Sequence, residues 1–226
     1  MIIGVTKINY YGFLLVLSII ISATYIYNSI KKEGFNDKYY LSLFLILYFS
    51  SILIFGLLFN MITHNLSLLD AGFSSYGGLI GVIISALIFD KKFSLNNLLL
   101  QYSIISLPLT YGISKMGCFL AGCCYGIPYN GVLSVTYTNG LNIPLFPIQI
   151  VESIVFVIIY IILYRYKTNK NIIYYTVIIS ALMKYLLDFL RYDHLNKIIT
   201  VNQIFSIFLI LCTIIFFIRK YKHISK

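Results

Sequence analysis

Long apolar runs separated by short polar stretches occupy almost the whole chain. Most of these runs approach the ~20 consecutive apolar residues that an α-helix needs to cross a bilayer. The predicted spans are residues 10–30, 39–62, 76–89, 98–116, 147–164, 172–190 and 201–218. The pattern predicts an all-α fold, a polytopic membrane helix bundle of about seven transmembrane helices, which forms one membrane domain over residues 1–226.

The composition supports the membrane class. Of the 226 residues, 60% are apolar and 11% are charged, whereas soluble domains carry roughly 25% charged residues. Mean hydropathy is +0.90. The net charge of +10 can indicate nucleic-acid binding, but the positive residues lie in loops between apolar spans, which is the pattern of membrane topology. We therefore expect no nucleic-acid partner.

The distribution of basic residues predicts the orientation. With the N-terminus outside, 12 of the 17 Lys and Arg residues fall in inside segments, and Lys184 lies within a span. The outside segments hold Lys7, Lys115, Arg191 and Lys197. This asymmetry predicts an outside N-terminus and an inside C-terminus, and it makes residues 117–146 a short extracytoplasmic loop region.

In this orientation, polar side chains from six segments reach the outer ends of the spans. They include Tyr11, Tyr76, Lys115, Gln149, Glu152, Lys184, Asp188, Arg191, Asn202 and Gln203. The spacing i, i+4, i+7 puts Lys184, Asp188 and Arg191 on one helix face. Because charge within a span is costly in hydrocarbon, this face is expected to look into the bundle or a polar cavity.

Two interpretations of these charges remain open. Lys184 and Asp188 can form a structural ion pair that packs helices. Alternatively, the three cations Lys115, Lys184 and Arg191, set against Glu152 and Asp188, leave one positive charge at the depth of the outer headgroups. Such a site suits a lipid phosphate.

The Gly and Cys motifs also allow more than one interpretation. Gly77 and Gly78 open the third span, where glycine permits close approach of a ligand or of a neighbouring helix. Cys118, Cys123 and Cys124 can form a disulfide, act as redox-active thiols, bind a metal together with His64 and His194, or simply fill space. Their spacing is not a recognised zinc spacing, and we expect no metal. The fourth cysteine, Cys212, lies mid-span and is expected to be a packing residue.

Six segments, taken in order, resemble the prolipoprotein diacylglyceryl transferase family. They match its Tyr-Gly, His-Gly-Gly-Leu-Ile-Gly, Arg-x-Gly-Asn-Phe, His-Pro-x-Gln-x-Tyr-Glu, Arg-x-x-x-Glu-Phe-x-Arg and Gly-Gln-x-x-Ser motifs. In this chain the segments are residues 11–12, 76–81, 115–119, 146–152, 184–191 and 202–206. The resemblance covers residues 11–207 and is strongest from Tyr76 onward.

The resemblance implies a seven-span protein with its N-terminus outside, in the bacterial cytoplasmic membrane. Family members move a diacylglyceryl group from phosphatidylglycerol to the cysteine of a lipoprotein precursor and release glycerol phosphate. The implied partners are a phospholipid such as phosphatidylglycerol and a lipoprotein precursor or another thiol acceptor, with no cofactor. The implied catalytic residues are Tyr76, Lys115, Lys184 and Asp188. The implied substrate-binding residues are Tyr11, Gly77, Gly78, Gln149, Glu152, Arg191 and Gln203.

The chain departs from the family motifs at chemically important positions. Tyr76 stands in the place of the family His, and Lys115 and Lys184 replace Arg, so they supply charge without a bidentate fork. Cys118 replaces Asn, and Cys123 replaces Glu. These departures indicate a divergent paralogue, and they keep two other hypotheses open. One is a thiol-redox protein that uses the three clustered cysteines, and the other is a non-catalytic protein that binds lipid or a partner. The oligomeric state is left open.

Overall fold

The computed structural model describes residues 2–3, 10–64, 72–137 and 141–224, without the side chains of residues 2, 3, 64, 221, 223 and 224. Lys7, counted above among the outside charges, lies outside this part. The described chain contains seven α-helices, and a short 3-10 turn at Tyr192–His194. The helices are α1 (Tyr10–Lys32), α2 (Lys38–His64), α3 (Ser75–Phe93), α4 (Leu98–Ala121), α5 (Ile148–Arg165), α6 (Ile172–Asp188) and α7 (Val201–Ile224).

Five of these helices are long and apolar enough to cross a membrane, namely α1, α2, α4, α5 and α7. The other two are α3, with 19 residues, and α6, with 17. Each of the seven helices overlaps one predicted span. The prediction of an all-α polytopic membrane protein is therefore confirmed, while the orientation stays a prediction.

The helices also show the surface chemistry of a membrane protein. Helix α7 leaves large apolar side chains exposed along its length, including Ile204, Phe208, Leu211, Ile215 and Phe216. In water such a surface would be unfavourable, at roughly 25 cal/mol for each Å² of apolar area left uncovered. In a bilayer the same apolar side chains can face the hydrocarbon tails of the lipids, which are also apolar.

The chain divides into two compact units, residues 19–107 and residues 1–18 with 108–226. In the first unit, α2 and α3 pack closely through the glycines of α3. A Cβ atom on Gly77 would lie 2.1 Å from the Phe55 carbonyl oxygen, and one on Gly81 would lie 2.5 Å from that of Ser51. Gly77 and Gly81 are therefore helix-packing positions, and the part of Gly77 and Gly78 in substrate binding stays a prediction.

In the second unit, the loop between α4 and α5 folds onto the start of α5 and the end of α6. The loop contains the short strand β2 (Thr136–Tyr137), which pairs in parallel with strand β1 (Ile2–Ile3) near the start of the chain. Beneath the loop a small apolar core contains Phe119, Val135, Tyr137 and Leu145. The loop is thus anchored by an apolar core that it shares with the end of α4.

Gly126 joins this loop to the segment that carries Arg191. Gly126 and Arg191 form an antiparallel bridge, and the Ile127 amide donates to the Leu190 carbonyl oxygen at 3.1 Å. A Cβ atom on Gly126 would lie 2.5 Å from the Phe146 carbonyl oxygen and 2.9 Å from the Leu190 carbonyl oxygen. Only glycine fits between these two backbones.

We expect Gly126→Ala to destabilise the protein by about 1–3 kcal/mol, because the added methyl group must push two backbone carbonyls apart. Thermal unfolding in detergent measures this loss. Gly72→Ala is the matched control, since a Cβ atom there would meet no atom closer than 3.9 Å. Equal unfolding temperatures for the two variants would contradict the tight fit at Gly126.

Candidate active site

Glu152 is the centre of a buried charge cluster in the unit formed by residues 1–18 and 108–226. One carboxylate oxygen lies 3.0 Å from Lys115 Nζ, and the other lies 2.5 Å from Arg191 Nη2. The three side chains are 1%, 7% and 9% exposed in the order Glu152, Lys115, Arg191. Helix α4 contributes the lysine, α5 contributes the glutamate, and the turn after α6 contributes the arginine. A single carboxylate therefore holds two cations from separate segments.

Tyr111 organises the same cluster from helix α4. Its hydroxyl donates to Glu152 Oε1 at 3.0 Å and accepts from Arg191 Nη2 at 3.2 Å. The ammonium nitrogens of Lys115 and Lys184 lie 5.1 and 5.0 Å from the centre of its ring. Cations are attracted to the face of an aromatic ring at such distances. The ammonium groups of Lys115 and Lys184 therefore both lie against the ring of Tyr111.

Asp188 connects the cluster to the start of helix α7. Its carboxylate accepts hydrogen bonds from the Thr200 hydroxyl and from Asn202 Nδ2, and it lies 3.6 Å from Arg191 Nε. Both donors come from the first turn of α7 or the residue before it. Asp188 therefore links Arg191 to the start of α7, and its implied catalytic role stays a prediction.

Thr200 and Gln203 form a reciprocal cap at the start of α7. The Thr200 amide donates to Gln203 Oε1 at 3.0 Å, and the Gln203 amide donates to Thr200 Oγ1 at 3.2 Å. This is the capping-box arrangement of a Thr followed three residues later by Gln. The structure therefore gives Gln203 a capping role, and its predicted contact with substrate stays a prediction.

With all three of its basic side chains protonated, the cluster carries one surplus positive charge. Lys115, Lys184 and Arg191 are buried together with the two carboxylates of Glu152 and Asp188. Burial in a medium of low dielectric strengthens the attraction of this surplus for an anion. The arrangement can hold a phosphate group and stabilise negative charge that builds up on it.

Tyr11 and Gln149 lie beside the segment that contains the cysteines. A Cβ atom on Gly117 would lie 3.1 Å from the Tyr11 Cα, so α1 and α4 pack closely there. Gln149 Nε2 donates to the Cys123 carbonyl oxygen at 2.7 Å and to the Tyr137 hydroxyl at 3.3 Å. Gln149 thereby ties the end of α4 to the start of α5, and substrate binding by either residue stays a prediction.

The three cysteines after Lys115 form one cluster of free thiols. Their Sγ atoms all lie within 4.8 Å of one another, with Cys118 buried, Cys123 partly buried and Cys124 exposed. Among the described residues this is the group of His, Cys, Asp and Glu side chains whose geometry can hold a metal ion. The His64 side chain, considered above as a further ligand, lies outside the described part of the chain.

The thiol of Cys124 has an unusual acidity. Hydrogen bonds from the thiols of Cys118 and Cys123 hold the pKa of the Cys124 thiol well below its usual range, and the charges of Lys115 and Arg191 lower it further. Because the thiolate is the reactive form of cysteine, Cys124 is the most nucleophilic member of the cluster.

We expect iodoacetamide to alkylate Cys124 first in reduced, metal-free protein, at a rate that falls less between pH 8 and pH 6 than the rate of an ordinary thiol. An ordinary thiol, with a pKa near 8.5, would slow by about tenfold for each pH unit over that range. Mass spectrometry of the digested protein measures each site, with Cys212 as the internal reference. A Cys124 rate that falls tenfold per pH unit would contradict the low pKa.

Tyr76, Gly77 and Gly78 belong to the unit formed by residues 19–107. The ring centre of Tyr76 lies 6.5 Å from that of Phe59, and the Tyr76 side chain is buried. This contact of Tyr76 lies within residues 19–107. The proposed catalytic role of Tyr76 stays a prediction from sequence.

Two residues of the cluster were missed by sequence reasoning. Tyr111 lies one helical turn before Lys115, so the i, i+4 spacing puts both on one face of α4. Thr200 precedes Gln203 by three residues, which is the capping-box signature. Both signals were present in the sequence, but tyrosines and threonines near span ends are common enough to pass unnoticed.

Comparison with known proteins shows which protein family the chain is similar to. The family model described as prolipoprotein diacylglyceryl transferase matches residues 1–219. The phosphatidylglycerol–prolipoprotein diacylglyceryl transferase of Clostridium tetani is 32% identical, over 93% of this chain and 92% of that protein. A second enzyme of that name from Clostridium perfringens is 26% identical over 96% and 93% of the two chains. One from Dehalococcoides mccartyi is 26% identical over 70% and 64%.

Proposed function

Because this chain belongs to the prolipoprotein diacylglyceryl transferase family, we propose that it moves a diacylglyceryl group from a phospholipid to a thiol. The donor is phosphatidylglycerol, and the acceptor is the cysteine of a lipoprotein precursor. The products are a thioether-linked diacylglyceryl group and glycerol phosphate. The reaction takes place at the outer leaflet of a bacterial cytoplasmic membrane.

One observation carries this proposal: three basic side chains, Lys115, Lys184 and Arg191, are buried at the place where Glu152 and Asp188 are buried. Glu152 holds Lys115 and Arg191 at 3.0 and 2.5 Å, and Lys184 lies over the same Tyr111 ring as Lys115. A lipid phosphodiester carries one negative charge, so its arrival neutralises the surplus. Protein side chains that stay buried together with excess positive charge are best explained by an anionic ligand.

The cations act on the leaving group in the proposed step. The acceptor thiolate attacks the glyceryl carbon that bears the phosphate, a C–S bond forms, and the C–O bond to the phosphate breaks. The electron pair of that bond stays on the phosphate oxygen of glycerol phosphate. Lys115, Lys184 and Arg191 stabilise this developing charge, while Glu152 and Asp188 keep the cations in position.

A double-label assay tests the proposal. Purified protein is given phosphatidylglycerol labelled in both the headgroup and the diacylglyceryl part, together with a peptide that contains the acceptor cysteine of a lipoprotein precursor (a lipobox peptide). Both labels are followed by mass spectrometry. We expect the headgroup label in glycerol phosphate and the diacylglyceryl label on the peptide. A peptide with serine in place of its cysteine is the control. If neither label moves while the lipid co-purifies, the transferase assignment is wrong.

A further inference from the structure

The thiol cluster is held together by the way helix α4 ends. The Cys123 amide donates to the Cys118 carbonyl oxygen at 3.0 Å, and the Gly122 amide donates to the Phe119 carbonyl oxygen at 3.3 Å. Gly122 has a φ of +65°. These are the two hydrogen bonds and the left-handed residue of a Schellman motif. This motif brings the side chains at the positions of Cys118 and Cys123 into contact.

Cys124 completes the cluster because the backbone turns a second time. Its φ is +55°, which is also left-handed. The preceding carbonyl is anchored by Gln149 Nε2 at 2.7 Å. The chain therefore folds all three sulfurs to one side by backbone geometry.

The spacing of the sulfurs fits a single metal ion. With a zinc–sulfur distance of about 2.3 Å, two sulfurs of a tetrahedral site lie about 3.8 Å apart. The sulfurs here lie within 4.8 Å of one another. They need to close by at most about 1 Å to bind one ion. Cys124 is the exposed residue of the three.

Charge and ligand number favour zinc with one open position. Zinc sites that do chemistry have three protein ligands and a fourth position for water or substrate. Three thiolates around Zn²⁺ carry one net negative charge, and Lys115 lies one turn before Cys118 on α4. A thiolate as fourth ligand adds a second negative charge beside this cation. The cluster is thus suited to take a thiol.

We propose that Cys118, Cys123 and Cys124 bind one zinc ion whose fourth position takes the acceptor cysteine. The role in transfer rests on the proposed function. The acceptor thiol loses its proton to solvent on coordination, because a metal-bound thiol is deprotonated outright. Its sulfur then attacks the glyceryl carbon, and the C–O electron pair leaves with glycerol phosphate. The cluster thereby supplies the thiolate without a base at position 76, where this chain has Tyr76 in the place of the family His.

Metal binding is tested first and without reference to activity. Reduced, metal-free protein in nanodiscs is titrated with Zn²⁺ against a chromophoric chelator, and with Co²⁺ as a spectroscopic probe. We expect one ion per chain and the thiolate charge-transfer and visible d–d bands of tetrahedral cobalt. Cys124→Ser is expected to lose tight binding, whereas Cys212→Ser keeps it. An unchanged Cys124→Ser titration, or no cobalt bands in the wild type, would overturn the site.

The fourth position is tested with the acceptor. A lipobox peptide is expected to shift the d–d bands of the cobalt-loaded protein, and the serine form of the peptide is expected to leave them unchanged. Identical spectra with both peptides would show that the metal only holds the loop together. That outcome would overturn the proposed use of the open position.

Transfer rates separate this inference from the proposed function. At pH 6 a free acceptor thiol with a pKa near 8.5 is only about 0.3% ionised. We therefore expect the transfer rate of zinc-loaded protein to exceed that of metal-free protein by on the order of 100-fold at pH 6. Above pH 8.5 we expect a smaller ratio of the two rates. Equal rates in the two forms would overturn the zinc role and leave the transferase standing. Zinc binding with a peptide shift but no transfer would leave the site standing and overturn the transferase.

Discussion

Replacing Glu152 with alanine is expected to destabilise the protein by about 3–5 kcal/mol and to lower the transfer rate by about 1,000-fold or more. Glu152 is 1% exposed and contacts both Lys115 and Arg191. Without its carboxylate, two buried cations face each other and Lys184 with only Asp188 to offset them. Uncompensated buried charge is among the most costly changes in a folded protein. The cations would also lose the geometry that a phosphate needs.

Thermal unfolding in detergent and the double-label assay measure the two effects of Glu152→Ala. Asp193→Asn is the matched control, because Asp193 is an exposed acidic residue in the turn just after Arg191. We expect that variant to stay within about 0.5 kcal/mol of the wild type. A Glu152→Ala protein with wild-type stability would mean that Lys115 and Arg191 are held by other groups.

Replacing Lys184 with methionine is expected to separate activity from stability. We expect kcat/KM to fall by about 100- to 1,000-fold, the usual cost of losing one group that stabilises transition-state charge. Stability is expected to stay the same or to increase, because the change removes the surplus positive charge from a buried cluster. Sites that bind substrate charge commonly sacrifice stability in this way.

The control for Lys184→Met is Lys197→Met, which removes an exposed charge after the same helix. Lys184→Arg is expected to recover most of the rate, since it restores the charge. The measurement pairs the transfer rate with the unfolding temperature for each variant. If Lys184→Met lowers both together, Lys184 acts as a structural ion-pair partner, and its role at the phosphate is wrong.

The sequence was sufficient for the helices and for most of the charge cluster. Hydrophobic runs are read directly because the bilayer sets one length for all spans. Charges within or beside such runs are rare and costly, so Lys115, Glu152, Lys184, Asp188 and Arg191 stand out. Their approach to one another follows from similar predicted depth. What depth cannot give is the pairing, namely that Glu152 holds two cations and that Asp188 connects to α7.

The cysteine cluster shows where spacing rules fail. Cys118 and Cys123 are five residues apart, which matches no recognised zinc motif. A left-handed glycine and the two hydrogen bonds of a helix end nevertheless bring their sulfurs together. Such an arrangement depends on a single backbone torsion at Gly122. The spacing of the cysteines in the sequence contains no information about that torsion. It would predict the approach of the two sulfurs only if the last residue of α4 were already known.

The surplus positive charge of the cluster has a consequence for turnover under the proposed function. Phosphatidylglycerol brings one negative charge, and its complex with the cluster is neutral. Glycerol phosphate is a phosphomonoester with a second pKa near 6, so it carries close to two negative charges at pH 7. The product complex is then negative in a buried site, where net charge is expensive. Glu152 and Asp188 thereby favour departure of the product, so the charge balance of the empty site promotes product release and limits product inhibition.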